Sequence, residues 1–131
     1  MSTSTSASTR AVLIGLGLSL VLILTGAFAA LKTGLIGAGI VPTETNFLLF
    51  NSCIGLFIMA GGYATAKLAP SNPKDHTIAL GGILTVLGLI GSVAQSLAHY
   101  GPDSFGWLLA LSGLPFAWLG GKLVRSETPT N

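Results

Sequence analysis

The side chains that could carry out catalysis or bind a metal are few in this sequence and stand far apart. The four carboxylic acids all lie outside the long apolar runs, at Glu44, Asp75, Asp103 and Glu127. His76 and His99 bracket one apolar run, which as a helix would hold them roughly 34 Å apart, too far to share an ion. Cys53 is the single cysteine, and no histidine or acid stands beside it to activate a thiolate. We therefore expect no metal site, no cofactor and no enzymatic activity.

Two amide side chains lie inside the apolar runs, Asn51 and Gln95, and with the neighbouring Ser52 they form the remaining candidate site. The two amides each stand about one helical turn inside the same end of their runs. A hydrogen bond between them, with Ser52 joining it, would contribute on the order of 1 kcal/mol to helix association. The same three groups could instead line a polar cavity. The sequence leaves both interpretations open.

Composition indicates the solvent around these groups. Half of the 131 residues are hydrophobic, only 8% are charged and the mean hydropathy is +0.77. Soluble domains carry about 25% charged residues, so this chain could not cover itself with a polar surface. The net charge of +2 comes from six scattered basic residues. A nucleic-acid site needs basic residues in a cluster, so we expect no nucleic acid as a partner. The apolar composition instead predicts the lipid bilayer as the partner.

Four apolar segments reach about the 20 residues that a helix needs to cross a bilayer. They are residues 11–31, 47–66, 77–98 and 105–121. Their apolar residues run continuously rather than alternating, which favours helices over barrel strands. Short connections then predict an all-α, integral membrane four-helix bundle of up-down-up-down topology over residues 11–124. Residues 1–10 and 125–131 are expected to be polar tails, the first of them disordered.

The basic residues predict the orientation of this bundle. Five of the six fall on one side of it: Arg10, Lys67, Lys74, Lys122 and Arg125. Since cytoplasmic boundaries collect Lys and Arg, both termini should be cytoplasmic in a bacterial inner membrane. One alternative remains, because Arg10, the first apolar run and Ala27-Phe28-Ala29 also resemble a signal peptide, whose cleavage would leave three spans.

Small residues at four-residue spacing predict where the helices pack. Lipid tails are as apolar as Leu, so helices in a membrane associate through close contact at small side chains. The candidate packing residues are Gly15 and Ser19, Gly62 and Ala66, Gly88 and Ser92, and Gly113, Ala117 and Gly121. These stripes either join the four helices of one chain or face a partner protein or a second copy.

The segment between the second and third spans has a recognisable pattern, GGYxxAxLAPxxPxxH, ending at His76. Within it, Asn72 is expected to cap the third helix and Pro73 to be the first helical residue. Together with the Leu119–Leu123 run LGGKL, this pattern resembles a group of small uncharacterised bacterial four-transmembrane-helix membrane proteins. The resemblance implies the same topology and brings no assigned activity.

These observations favour a non-enzymatic multi-pass membrane protein that serves as an accessory or structural subunit. Its partner would be another membrane protein or a second copy of the chain. The alternative is a small oligomeric channel or transporter for a neutral or lipid-like solute, with Asn51, Ser52 and Gln95 lining the path.

Overall fold

A computed structural model describes the backbone of residues 2–35, 43–99 and 103–127, and the side chains of 5–35, 43–99 and 106–124. These described residues form four helices, α1 (Ser2–Lys32), α2 (Glu44–Leu68), α3 (Pro73–Leu97) and α4 (Asp103–Glu127). Each contains a segment long and apolar enough to cross a membrane, of 28, 25, 25 and 19 residues respectively. The predicted all-helical, four-span membrane bundle is therefore confirmed.

The helices extend beyond the apolar runs at most of their ends. Residues 2–10 continue α1 instead of forming the separate disordered tail that their composition predicts. No Gly or Pro interrupts this segment, and polar residues readily extend a helix that is already nucleated. The Thr9 hydroxyl donates to the Thr5 carbonyl oxygen over 3.0 Å. Residues 125–127 likewise continue α4, while 36–42, 100–102 and 128–131 lie outside the described residues.

The lateral order of the helices differs from their order along the chain. The most extensive interface joins α3 to α4, followed by α2 to α4 and α1 to α2. The backbones of α2 and α3 approach each other less, those of α1 and α3 least, and those of α1 and α4 do not come close together among the described residues. Around the bundle the order is therefore α1, α2, α4, α3, with α4 wedged between two helices that are neighbours in sequence.

Paired positions along two interfaces give the direction of the helices. Gly15 of α1 packs on Thr65 of α2, whereas Ser19, one turn further, packs on Gly61, one turn earlier. Along the interface of α3 and α4, residues later in α3 likewise face residues earlier in α4. Neighbouring helices in sequence are thus antiparallel, as short connections require.

The buried core is small and lies where α2, α3 and α4 meet. It consists of Ile54 and Ile58 from α2, Leu80 and Leu84 from α3, and Ala117 from α4. Most other large apolar side chains, especially those of α1, are exposed. In lipid such exposure costs little, so the helices depend on close packing at small residues to stay together.

Candidate functional site

The interface of α3 and α4 is built from small residues that match one another along its length. Facing pairs alternate between a hydroxyl residue opposite Gly and a Gly opposite Ala: Thr77–Gly121, Gly81–Ala117, Thr85–Gly113, Gly88–Ala110 and Ser92–Gly106. A Cβ atom at Gly88 would lie 2.8 Å from the Ala110 Cα, so the two backbones are nearly in contact. No large side chain could enter this interface without separating the helices.

The other two main interfaces are also closed at glycines. Between α2 and α4, a Cβ atom at Gly62 or Gly120 would collide with the backbone of Ala117 or Met59, respectively. Between α1 and α2, Gly15 and Gly61 each lie under a hydroxyl side chain of the facing helix. The residues of the four predicted packing stripes are all buried except Gly88, which is partly buried.

A hydrogen bond of Ser92 crosses the α3–α4 interface inside the membrane-spanning region. The Ser92 hydroxyl lies 2.7 Å from the Gly88 carbonyl oxygen of its own helix and also within hydrogen-bonding distance of the Gly106 carbonyl oxygen of α4. Ser92 is 6% exposed, so its hydrogen bonds are shielded from solvent. Other buried hydroxyls at the interfaces, those of Ser19, Thr65 and Thr85, have no partner.

The hydrogen bond predicted between Asn51 and Gln95, with Ser52 joining it, is not formed in the structure. Ser52 is exposed and its hydroxyl donates to the Leu48 carbonyl oxygen of its own helix over 2.8 Å. Asn51 and Gln95 are partly buried, and Asn51 Oδ1 and Gln95 Nε2 are each buried without a hydrogen-bond partner. The acceptor and donor that could join α2 to α3 are therefore not paired with each other.

The two histidines have local structural roles. Asn72 occupies the N-cap position with Pro73 after it, as predicted, but its φ of 42° is left-handed and its side chain makes no cap hydrogen bond. His76 Nδ1 instead lies 3.1 Å from the Asn72 carbonyl oxygen and closes the turn. His99 follows the end of α3 with a φ of 51°, the conformation that commonly terminates helices.

Lysine and aromatic side chains are paired at the C-terminal ends of three helices. The pairs are four residues apart: Phe28 with Lys32, Tyr63 with Lys67, and Trp118 with Lys122. The closest is the last, where the Lys122 ammonium lies 3.8 Å from the indole centroid. The Tyr and Trp pairs suit a helix end at the membrane surface, because these two ring types favour the interface and the ammonium favours water.

Four of the five residues predicted to mark the cytoplasmic boundary have described side chains, and they cluster at one end of the bundle. Arg10 lies near the start of α1, Lys67 in the last turn of α2, Lys74 in the first turn of α3 and Lys122 near the end of α4. Lys74 and Lys122 line a common cavity of about 200 Å³ together with Thr77, Trp118 and Gly121. For Arg125 only the backbone, within α4, is described.

The interface between α1 and α3 is the open side of the bundle. At the basic end, a groove of about 390 Å³ runs between Ser8, Thr9, Val12 and Leu13 of α1 and Asp75, His76, Ala79 and Ile83 of α3. We call this the α1/α3 groove. Further along, a cavity of about 180 Å³ is lined by apolar residues of all four helices, among them Leu20, Ile54, Leu84 and Leu109.

Several residues of these sites are not predicted by a search for single small-residue stripes. Thr77, Gly81, Thr85, Gly106 and Ala110 complete the α3–α4 interface. The signal lies in the pairing: small or hydroxyl residues at 77, 81, 85, 88 and 92 mirror those at 121, 117, 113, 110 and 106. An antiparallel pair of helices with matched spacing brings all of them together.

The described residues contain no group of three His, Cys, Asp or Glu side chains that could hold a metal ion. Cys53 is exposed. The resemblance to small bacterial four-span proteins stays a prediction. Comparison with protein-family models, with curated proteins and with solved structures finds no match to this chain.

Proposed function

We propose that this chain is a non-enzymatic accessory or structural subunit of a bacterial inner-membrane complex, with both termini cytoplasmic, that packs against another membrane protein. The observation that carries the proposal is the unequal packing around the bundle. Three of its interfaces are closed by contacts at glycines, whereas α1 and α3 leave a groove of about 390 Å³ between them.

The chemistry of the groove favours a transmembrane helix of a partner protein as its occupant. Much of the lining is apolar and is formed by Val12, Leu13, Ala79 and Ile83. At the basic end the Asp75 side chain is exposed and forms no ion pair with any described residue. A partner helix that ends in Lys or Arg at this boundary, as helices at cytoplasmic boundaries often do, would place its charge beside Asp75.

Photo-crosslinking in native membranes tests this proposal with a matched control on the same helix. Ile83 and Ile78 are 40% and 38% exposed, but only Ile83 lines the groove. We expect p-benzoylphenylalanine at position 83 to give a discrete adduct with a second, different protein, and the same group at position 78 to give none. Equal adducts at both positions would contradict the proposal, as would an adduct of two copies of this chain.

A second candidate is a small oligomeric channel or transporter for a neutral or lipid-like solute. It is favoured by the cavity of about 180 Å³ lined by Leu and Ile from all four helices. The unpaired amide atoms of Asn51 and Gln95 add polar groups that a solute could use. Movement of a fluorescent phospholipid across proteoliposomes would support this candidate if Ile54→Trp, which fills the cavity, abolished it. Transport that is unaffected by Ile54→Trp would count against it.

A further inference from the structure

We propose that the cavity between the start of α3 and the end of α4 binds the phosphate of an anionic phospholipid headgroup. The cavity is lined by Lys74, Thr77, Trp118, Gly121 and Lys122, and we call it the Lys74/Lys122 pocket. The proposal rests on its shape, its charge and its position at the membrane surface.

The shape of the pocket follows from the small residues of the α3–α4 interface. Thr77 is 1% exposed and packs against Gly121, where a Cβ atom would lie only 2.6 Å from the Thr77 Cγ2. This contact closes the inner end of the cavity, of about 200 Å³. Above it, the exposed Lys74 and Lys122 stand on different helices and face the same space.

The charge of the pocket is positive and is not neutralised within the described part of the chain. No described carboxylate forms an ion pair with Lys74 or Lys122. The nearest acid in sequence, Asp75, lies on the side of α3 that faces α1 and lines the α1/α3 groove instead. The first turn of α3 thus separates its charges, with the lysine toward α4 and the acid toward α1. The positive end of the α3 helix dipole adds to the same potential.

The position of the pocket matches the depth of a lipid phosphate. Lys74 stands in the first turn of α3, and Lys122 lies over the indole of Trp118, a residue type that prefers the membrane interface. Basic pockets between transmembrane helices at the cytoplasmic surface are known to hold anionic headgroups. Lys67, which is at the same end of the bundle, lies against Tyr63 and outside the pocket.

A fluorescence titration of the full chain in neutral detergent tests the inference. Trp107→Phe leaves Trp118 as the sole tryptophan and as a reporter inside the pocket. Phosphatidylglycerol should change its emission saturably, and phosphatidylcholine should not. Lys74→Gln and Lys122→Gln should each weaken binding by roughly five-fold, the effect expected for one basic residue near an anionic lipid surface. Lys67→Gln is the matched control and should leave the affinity unchanged.

Two further arms keep the result interpretable. The double variant Lys74→Arg/Lys122→Arg retains both charges and should bind phosphatidylglycerol as the parent does, which separates loss of charge from loss of folding. Equal affinity of the parent and the double variant Lys74→Gln/Lys122→Gln for phosphatidylglycerol would overturn the inference, as would equal binding of phosphatidylcholine. Millimolar inorganic phosphate that binds with the same lysine dependence and displaces the lipid would assign the pocket to a free anion and overturn the lipid assignment.

Discussion

Gly81 and Gly82 are adjacent in α3, but only Gly81 lies against α4. Comparing the Ala substitutions at the two positions therefore isolates the packing of α3 on α4. A Cβ atom at Gly81 would lie 2.8 Å from the Leu114 Cα and 3.3 Å from the Ala117 Cβ. A Cβ atom at Gly82 would meet nothing within 4 Å. Because the nearest obstacle at Gly81 is backbone, no side-chain rotation can relieve it.

The magnitude follows from the two terms that an added methyl group brings. Carbon atoms rest about 3.5–4.0 Å apart, so Gly81→Ala must push α3 away from α4 by roughly 1 Å. Overpacking of this kind costs about 1–3 kcal/mol. Both substitutions gain up to about 1 kcal/mol of helix propensity. We therefore expect Gly82→Ala to be neutral or stabilising, and Gly81→Ala to lie about 1–3 kcal/mol below it in the free energy of unfolding.

Unfolding of the purified protein by titration with sodium dodecyl sulfate, followed by circular dichroism, measures this difference. Since the two variants share the propensity term, subtracting one from the other leaves the packing term alone. Equal unfolding midpoints for Gly81→Ala and Gly82→Ala would refute the close backbone contact and, with it, the small-residue account of the bundle.

The same unfolding assay checks three more predictions. Ser92→Ala should lower stability by about 0.6 kcal/mol, because the hydrogen bond to the Gly106 carbonyl is lost; no change would mean that this bond contributes nothing. Asn51→Leu and Gln95→Met should raise stability by roughly 1 kcal/mol each, since a buried polar atom without a partner is replaced by an apolar group. A clear loss of stability would show instead that the amides have hydrogen-bond partners. His99→Gly should raise stability by about 1 kcal/mol by relieving a left-handed residue, and a decrease would contradict the turn at the end of α3.

The number and direction of the helices can be predicted from sequence, but their lateral order cannot. Apolar runs of sufficient length between short connections leave few alternatives to four antiparallel spans. In lipid, however, the apolar side chains of every helix face are equally well solvated, so hydrophobicity does not select neighbours. What places α4 between α2 and α3 is the matched spacing of small residues, such as Gly62 against Ala117 and Gly113 against Thr85.

The candidate site shows the same limit at the level of single residues. Asn51, Ser52 and Gln95 stand at similar depths, and depth is what the sequence predicts. Which way each side chain faces depends on helix rotation, which turns Ser52 outward and leaves the two amides unpaired. His76 is the reverse case, since its bond to the Asn72 carbonyl follows from a left-handed turn that no periodicity indicates.

The helix order α1, α2, α4, α3 is the central claim, because it makes α1 and α3 neighbours and the α1/α3 groove lies between them. Phe116 of α4 reports it directly, since its ring lies against Gly55 of α2, where a Cβ atom would be 2.8 Å from the Phe116 Cζ. Photo-crosslinking from p-benzoylphenylalanine at position 116 in the native membrane, followed by peptide mapping, should give an adduct in the α2 peptide around Gly55. An adduct in α1, the neighbour of α4 in a bundle ordered by sequence, would contradict the account.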